Sequence, residues 1–273
     1  MPRPRHSAAS RTVSATRVEL GSSGHERAEL AEESPFTIAF NGAVFAVLMC
    51  TPADLEDLAV GFAITERIIS QASEISALAV VRHAAGVEAQ CEVRAEVAAA
   101  AASRGRRLPS RTGCGICGAT STDVIFSALP RPRSDVMIDA DAVSRAMREL
   151  ATRQPLNEAT GATHAAAWAT FDGGIALVRE DVGRHNALDK LVGARLRAGV
   201  SNPDGFVVLT SRGSYELVQK AAMLGAPLLA TVSAPTALAV RVADECGMTL
   251  AGFVRDDRLT LYTHPGRVMH EPG

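Results

Sequence analysis

Aromatic residues, net charge and long apolar runs are all scarce in this sequence. Aromatic side chains make up 4% of the chain, so a core must be built mainly from alanine, valine and leucine. The 28 lysines and arginines nearly balance the 30 acidic residues, which leaves a formal net charge of −2. This balance gives no overall attraction to nucleic acid or to an anionic membrane, and we expect neither as a partner. The longest uncharged run, from Ala221 to Val240, is interrupted by glycine and proline and is not expected to cross a membrane.

The sequence also lacks a secretory signal and an even set of cysteines. The first eighteen residues carry four arginines and no acidic residue, but they contain no apolar stretch of the kind that a signal needs. Five cysteines is an odd number, which argues against a disulfide framework. We therefore expect a reducing, cytoplasmic compartment, and we expect residues 1–33 to form a disordered tail.

The remaining chain divides into two regions of different pattern. The 273 residues of the sequence fit two modest domains. Residues 34–130 predict a small α+β unit that begins with a hairpin around Asn41-Gly42 and continues into a helix capped by Thr51. After a break at Pro130 to Arg133, residues 131–273 alternate strands and helices, which predicts an α/β domain with parallel strands.

Two cysteines at Cys-X-X-Cys spacing, Cys114 and Cys117, are the sharpest chemical feature of the sequence. Such a pair has three uses: part of a zinc site, a thioredoxin-like redox pair, or a carrier of sulfur as a persulfide. A zinc site needs a second matching motif, which the scattered remaining cysteines do not supply, so we expect no structural metal. A redox pair normally follows a strand, whereas an arginine-rich segment without regular pattern, residues 98–112, precedes this one. Sulfur carriage is favoured, and the other two uses stay open at this point.

The surroundings of the cysteine pair favour a reactive thiolate. Four arginines and no acidic residue lie between Glu96 and Asp123. Nearby cations stabilise the thiolate, which is the nucleophilic form of cysteine. The same charge would attract a phosphate-bearing partner. The alternative is that these arginines only keep an exposed loop soluble.

Two loops in the second half have the composition of anion sites. Ser211, Arg212, Gly213 and Ser214 follow one predicted strand and precede a helix, and Ser233 to Thr236 repeat this plan. Free N–H groups at helix N-termini bind phosphate, and the ends of parallel strands meet at one edge of a sheet. The alternative is that the serines and the threonine are ordinary helix caps.

A dense cluster of ionisable residues, from Glu180 to Asn186, separates a further strand from a helix. Its histidine, His185, fits a general base or a phosphate ligand, while a capping and ion-pair network explains the cluster equally well. His164 is open to the same two interpretations. Neither histidine lies in the His-X-Glu motif of zinc deaminases, so base deamination is excluded.

Together these motifs resemble the formate dehydrogenase accessory sulfurtransferases, the FdhD/NarQ family. The resemblance covers most of the chain after about residue 34. It is carried by several long motifs in the family's order: Asn41-Gly42, Thr51-Pro52, Leu58 to Phe62, Cys114 to Gly118, His164 to Ala166, Glu180 to Lys190, Ser211 to Glu216, Ser233 to Thr236 and Gly252-Phe253.

The resemblance implies a fold and a set of site residues. The second half should be a cytidine-deaminase-like α/β sandwich beside the smaller N-terminal α+β unit, and the protein should be a homodimer. Cys114 and Cys117 should be the catalytic, persulfide-bearing pair, with Cys114 the favoured carrier. The cofactor-binding segment falls on Phe253, Val254, Arg255, Asp256, Asp257 and Arg258. Its arginines suit the charge of a diphosphate, whereas Asp256 and Asp257 would repel it unless they point away or touch the guanine.

The resemblance also implies an activity and its partners. The protein should accept sulfane sulfur from a cysteine desulfurase and transfer it to the bis-molybdopterin guanine dinucleotide cofactor of molybdenum or tungsten. That cofactor is a bound substrate here, and its destination is the catalytic subunit of formate dehydrogenase. A non-catalytic chaperone for the same cofactor is the runner-up. A thiol oxidoreductase is the third hypothesis, and it predicts a reversible disulfide between Cys114 and Cys117.

Overall fold

A computed structural model of the chain describes residues 9–105, 129–132, 136–200 and 204–270. Its strands are β1 (Ser10–Glu19), β2 (Ser22–Ala31), β3 (Ser34–Phe40), β4 (Ala43–Cys50), β5 (Ala77–His83), β6 (Gly86–Glu92), β7 (Ile138–Asp139), β8 (His164–Thr170), β9 (Ile175–Asp181), β10 (Gly205–Leu209), β11 (Leu228–Thr231), β12 (Thr249–Arg255), β13 (Arg258–Leu261) and β14 (Val268–Met269). Its helices are α1 (Leu55–Thr65), α2 (Ala95–Gly105), α3 (Ala140–Ala151), α4 (Pro155–Thr160), α5 (Arg184–Arg197), α6 (Tyr215–Met223) and α7 (Ala237–Cys246). The chain therefore has a mixed α/β fold.

The N-terminal unit is built on a four-stranded sheet in the order β4-β3-β6-β5. Strands β3 and β4 are antiparallel, and the two residues between them, Asn41 and Gly42, have φ values of 46° and 78°. Both values lie in the left-handed region that a tight hairpin turn requires, so the predicted hairpin is confirmed. The side-chain amide of Asn41 also exchanges hydrogen bonds of 2.9 and 2.8 Å with the backbone of Val93, which ties the turn to the residues after β6.

The sequence predicted that helix α1 starts directly after Thr51, but the helix begins at Leu55. Its N-cap residue is Asp54, which has a left-handed φ of 52° and makes no side-chain cap hydrogen bond. Thr51 is instead fully buried, and its hydroxyl accepts the N–H of Val182 at 3.1 Å while its own N–H donates to the Asp181 carboxylate at 3.1 Å. The polar groups of Thr51 thus connect the two halves of the chain, which a local capping pattern cannot show.

Helix α2 occupies part of the segment that was expected to be irregular. Residues 98–102 are five consecutive alanines. Alanine has the highest intrinsic helix propensity, and this propensity does not need an apolar stripe. The absence of periodicity therefore gave the wrong prediction for residues 98–105.

Residues 10–31 form an antiparallel hairpin of β1 and β2, where the sequence predicted a disordered tail. Neither strand contains a buried residue, so the alternation that usually indicates a strand is absent. Polar cross-strand pairs hold the hairpin instead, among them Thr12 with Glu29 at 2.7 Å and Arg17 with Glu26 at 3.2 Å. Residues 1–8 lie outside the described ranges.

The second half is built on a six-stranded sheet in the order β13-β12-β11-β10-β8-β9. Strands β10, β11 and β12 are parallel, which confirms the parallel pattern predicted from the sequence. Strand β8 is antiparallel to both of its neighbours, β9 and β10, so β9 runs in the same direction as β10. The carboxyl ends of β9, β10, β11 and β12 consequently lie at the same edge of the sheet.

Helices cover both faces of this sheet. Val143 and Leu150 of α3 belong to an apolar cluster on one face, together with residues of β8 and β10. Leu188 of α5, Val218 of α6 and Val242 of α7 belong to the cluster on the other face. The sheet is thus the middle layer of an α/β/α arrangement.

The two halves of the chain share one core. Helices α1 and α5 touch through glycines: a Cβ added to Gly61 would lie 1.7 Å from the carbonyl oxygen of Asp189, and one added to Gly193 would lie 1.8 Å from that of Asp57. The apolar cluster beneath α5 also extends to Phe36 in β3. The boundary predicted near residue 130 therefore separates two sheets but not two cores. Among the described residues, no helix is both long and apolar enough to span a bilayer.

Candidate functional site

One edge of the six-stranded sheet collects the N-termini of three helices. Helices α5, α6 and α7 follow β9, β10 and β11, and these strands all end at that edge. Open α/β sheets bind ligands at the carboxyl ends of their strands, where free N–H groups and the helix dipoles favour anions. This edge is the candidate site, and below it is called the crevice edge.

The two loops predicted as anion sites lie side by side at the crevice edge. The N–H of Gly213 donates to the carbonyl of Ala234 at 3.3 Å, and the N–H of Thr236 donates to the carbonyl of Gly213 at 2.9 Å. Arg212, the residue before Gly213, is exposed. Ser211 is buried, and its hydroxyl donates to the carbonyl of Arg212. The loops after β10 and β11 thus form one continuous surface.

The predicted cofactor-binding segment joins this surface through the loop after β11. The N–H of Phe253 donates to the carbonyl of Ser233 at 3.3 Å, and Nε of Arg255 donates to the carbonyl of Val232 at 2.9 Å. A Cβ at Gly252 would lie 2.8 Å from Cδ of Pro235, so glycine allows this close approach. The structure therefore brings together both groups of residues that the sequence singled out.

The residues of the segment Phe253 to Arg258 point in different directions. Phe253 has a left-handed φ of 52° and is 46% exposed, which presents an aromatic ring to solvent at a strained backbone position. Val254 is fully buried, so its side chain belongs to the core and only its backbone is available to a ligand. The Asp257 carboxylate accepts a hydrogen bond of 2.7 Å from Arg148 of α3. The Asp257 carboxylate is therefore held toward α3, on the sheet face opposite α5, α6 and α7. This contact reduces the repulsion that Asp257 was expected to exert on a phosphate.

Ser214 and His185 meet at the crevice edge. Ser214 is the N-cap residue of α6 but makes no side-chain cap hydrogen bond, and its Oγ lies 3.5 Å from Nε2 of His185. Nε2 of His185 also lies 3.6 Å from a carboxylate oxygen of Glu216. Thr236, in contrast, is an ordinary cap, because its hydroxyl accepts the N–H of Ala239 at 3.2 Å. Of the two interpretations of these helix starts, capping describes Thr236, whereas the hydroxyl of Ser214 faces a histidine.

Both histidines of the site are held in the neutral form. Burial lowers the pKa of His185 to about 3, and the positive charges of Lys220 and Arg184 add to that effect. Burial, followed by the charge of Arg184, also lowers the pKa of His164. A neutral imidazole can donate one hydrogen bond and accept another, so both rings are available as hydrogen-bonding groups at neutral pH.

Much of the Glu180 to Lys190 cluster is a buried structural network. Nζ of Lys190 lies 2.6 Å from the Asp181 carboxylate, and both side chains are fully buried. Asp181 also accepts hydrogen bonds from the N–H of Gly183 and the amide of Asn186, at 2.8 and 3.0 Å. Lys190 donates a further bond to the carbonyl of Thr51 at 3.0 Å. The ion-pair interpretation is therefore confirmed for these residues, which link β9 and α5 to the N-terminal sheet.

A second buried pair lies beneath His185. Lys220 of α6 contacts both carboxylate oxygens of Asp189 at 2.9 Å, and the hydroxyl of Thr65 donates to Asp189 at 2.6 Å. Thr65 is the last residue of α1, so this pair again crosses between the two halves of the chain. Lys220, Glu216 and Arg184 were not predicted as individual site residues, because their role depends on which helices pack together.

The catalytic pair predicted from the sequence, Cys114 and Cys117, lies outside the described residues. The three cysteines that the structure describes, Cys50, Cys91 and Cys246, are free and buried. Burial raises the pKa of Cys50 and of Cys91 to about 12, so neither thiol ionises readily. The interpretation of these three cysteines as small core residues is confirmed. Within the described ranges, no group of three histidine, cysteine or acidic side chains could hold a metal ion.

Comparisons with known proteins agree on one family. The model of the FdhD/NarQ family matches residues 31–269. The chain is 48% identical over 239 residues to the sulfur carrier protein FdhD of Xanthomonas euvesicatoria pv. vesicatoria (strain 85-10), which covers 88% of this chain and 85% of that protein. It is 48% identical over 244 residues to the protein of the same name from Cupriavidus necator, which covers 89% of this chain and 84% of that protein.

A solved structure shares the fold. The crystal structure of a formate dehydrogenase accessory protein from Desulfotalea psychrophila superimposes with a TM-score of 0.76 and covers 96% of this chain and 100% of that chain. The sequence identity between the two chains is 24%. This likeness supports the mixed α/β fold of both halves together.

Proposed function

The chain belongs to the FdhD/NarQ family, and from this premise we propose that it is a sulfur carrier protein that serves formate dehydrogenase. The observation that carries the proposal is the family match over residues 31–269, together with relatives at 48% identity that are named sulfur carrier proteins. Cys114 and Cys117 are the proposed carriers. The burial of the three described cysteines supports this choice, because a carrier thiol must ionise and meet a partner protein.

The proposed reaction begins when a thiolate of the pair attacks the outer sulfur of a persulfide on a cysteine desulfurase. A new S–S bond forms on the carrier, the S–S bond of the donor breaks, and the donor cysteine leaves as a thiolate. Once the acceptor is bound, the other cysteine of the pair attacks the inner sulfur of the carrier persulfide. The outer sulfur leaves as hydrosulfide for the acceptor, and a Cys114–Cys117 disulfide remains until a thiol reductant restores the two thiols. The pair thereby supplies the two electrons that convert sulfane sulfur to sulfide.

The proposed acceptor is the bis-molybdopterin guanine dinucleotide cofactor of molybdenum or tungsten, bound as a substrate at the crevice edge. Three features of the described residues fit a nucleotide there. The N-termini of α5 and α6 lie at this edge, where the helix dipoles favour phosphate, and Arg212 is an exposed cation beside them. The ring of Phe253 is exposed at the same edge and can stack on a base.

The finer expectations about fold and assembly belong to this proposal as well. The sheet order, with the antiparallel strands β8 and β13 on either side of the parallel set of β10, β11 and β12, is compatible with a cytidine-deaminase-like sandwich. A homodimer in the cytoplasm, with a cysteine desulfurase and the catalytic subunit of formate dehydrogenase as partners, completes the proposed setting.

Formate dehydrogenase activity in cells that depend on this protein tests the proposal. The double variant Cys114→Ala/Cys117→Ala should abolish the activity, because no thiol remains to carry sulfur. The variant Cys246→Ala, which alters a buried thiol, is the matched control and should retain it. A double variant that accumulates normally and still supports full activity would contradict sulfur carriage and would favour a non-catalytic cofactor chaperone.

A further inference from the structure

Arg184 is a largely covered cation without a protein partner in the described part of the chain. It is the first residue of α5, and its Nε is buried without any hydrogen bond. Leaving a buried donor unsatisfied is costly, and nearly all such groups in native proteins have a partner. The buried, unpaired Nε of Arg184 at the crevice edge therefore indicates a missing acceptor.

The carboxylates near Arg184 are already engaged. Asp181 contacts Lys190 at 2.6 Å, and Asp189 contacts Lys220 at 2.9 Å. Glu216 faces His185 at 3.6 Å. The positive charge of Arg184 is therefore left to act on its other neighbours, and it helps to lower the pKa of both His164 and His185. A negatively charged ligand would give Arg184 the direct counter-ion that no described side chain supplies.

The geometry around Arg184 favours a tetrahedral anion. A guanidinium offers paired donors that match the oxygens of a phosphate. Arg184 stands at the start of a 14-residue helix, where the helix dipole adds to its charge. The adjacent His185 is neutral and lies 3.5 Å from the hydroxyl of Ser214, so donors from α5 and α6 converge at the same place.

We propose that Arg184 is a phosphate-binding residue of the crevice edge, and that it binds a phosphate of the nucleotide substrate with help from His185 and Ser214. The inference rests on the proposed function, since it assigns a position to the phosphate of the nucleotide acceptor. It adds a residue that neither the Phe253 to Arg258 segment nor the Ser211 to Ser214 loop contains.

Calorimetric titration of the full chain tests this role, with guanosine diphosphate, guanosine and inorganic diphosphate as probes. Arg184→Met keeps the apolar stem but removes the charge, and it should weaken guanosine diphosphate binding by about 10- to 100-fold, as expected for hydrogen bonds to a charged group. Binding of guanosine should not change, because it has no phosphate. Arg184→Lys should bind guanosine diphosphate with an affinity between those of Arg184→Met and the unaltered protein. Arg241→Met, at an exposed position of α7, should bind it like the unaltered protein.

The outcomes separate this inference from the proposed function. If Arg184→Met binds guanosine diphosphate as tightly as the unaltered protein, the role of Arg184 is overturned while sulfur carriage stands. If the unaltered protein binds inorganic diphosphate through Arg184 but not guanosine diphosphate, the phosphate site stands as a site for a free anion and the nucleotide assignment fails. If the unaltered protein binds none of the probes, the inference and the proposed acceptor both fail.

Discussion

At the scale of single residues, the site contains titratable histidines as well as charged side chains that are held in buried ion pairs. The residues from Glu180 to Lys190 make contacts that a sequence pattern could suggest but not assign. A network was one of the two interpretations that the density of charge allowed, and Asp181, Asn186 and Lys190 form it. The partner of each charge depends on helix packing, so the orphaned Arg184 was not predictable from the sequence.

His185 should make the protein sensitive to acid. Its pKa is about 3 in the folded state, against an ordinary value of 6.5, so the unfolded chain binds a proton first as the pH falls. The contribution of neutral His185 is complete above pH 6.5 and is lost as the pH falls from there toward 3. We expect His185→Gln to reduce the loss of unfolding free energy between pH 7 and pH 5 by about 2 kcal/mol.

Urea unfolding at the two pH values measures this effect. His25→Gln, at an exposed position of β2, is the control and should follow the unaltered protein. An equal loss of stability in His185→Gln and the unaltered protein would show that folding does not lower the pKa of His185.

The buried pair of Lys190 and Asp181 should be intolerant of a change to one partner. Lys190→Met leaves the Asp181 carboxylate buried without its cation, and we expect it to lower the unfolding free energy by about 3–5 kcal/mol. The double variant Lys190→Met/Asp181→Asn should recover part of this loss. Arg17→Met, which breaks an exposed ion pair of the β1–β2 hairpin, should cost less than about 1 kcal/mol. Chemical denaturation checks the series, and a cost for Lys190→Met as small as that for Arg17→Met would refute the account.

At the scale of elements, local signals were sufficient for some segments and misleading for others. The hairpin at Asn41-Gly42 follows from turn chemistry alone. Helix α2 was missed because the small face that it packs on the core, Val97, Ala98 and Ala101, does not stand out within a run of alanines. The β1–β2 hairpin was missed because neither strand has a buried residue. The start of α1 was misplaced because Thr51 uses its polar groups on Asp181 and Val182 instead of on its own helix.

The contact between α1 and α5 should be the element interface most sensitive to added volume. Gly61→Ala would place a Cβ 1.7 Å from the carbonyl oxygen of Asp189, and that backbone cannot move without displacing α5. We expect a loss of at least about 2 kcal/mol in unfolding free energy, or failure to fold. Gly266→Ala has no atom within 4 Å of the new Cβ and should stay within about 0.5 kcal/mol of the unaltered protein. Thermal and urea unfolding of the two variants give the answer, and similar stabilities would mean that the helices are not in contact.

At the scale of the whole molecule, the order of the strands determines the site. The alternation of strands and helices predicted an α/β domain with parallel strands, which is confirmed for β10, β11 and β12. A hairpin of β8 and β9 was predicted as well and is confirmed. The sequence did not reveal that β8 also pairs with β10 or that β9 ends beside the others, because pairing across a sheet is a long-range property. The convergence of three helix N-termini follows from that pairing. The shared core of the two halves was hidden for the same reason, since Gly61 and Gly193 lie far apart in the sequence.

The central claim is that the protein carries sulfur covalently on Cys114 or Cys117. Intact-protein mass spectrometry after incubation with an active cysteine desulfurase and cysteine tests it most directly. We expect a sulfur adduct on the unaltered protein that a thiol reductant removes, and none on Cys114→Ala/Cys117→Ala. The single variants identify which cysteine holds the sulfur. If the unaltered protein gains no adduct from a desulfurase that loads another acceptor, the claim of covalent sulfur carriage is wrong.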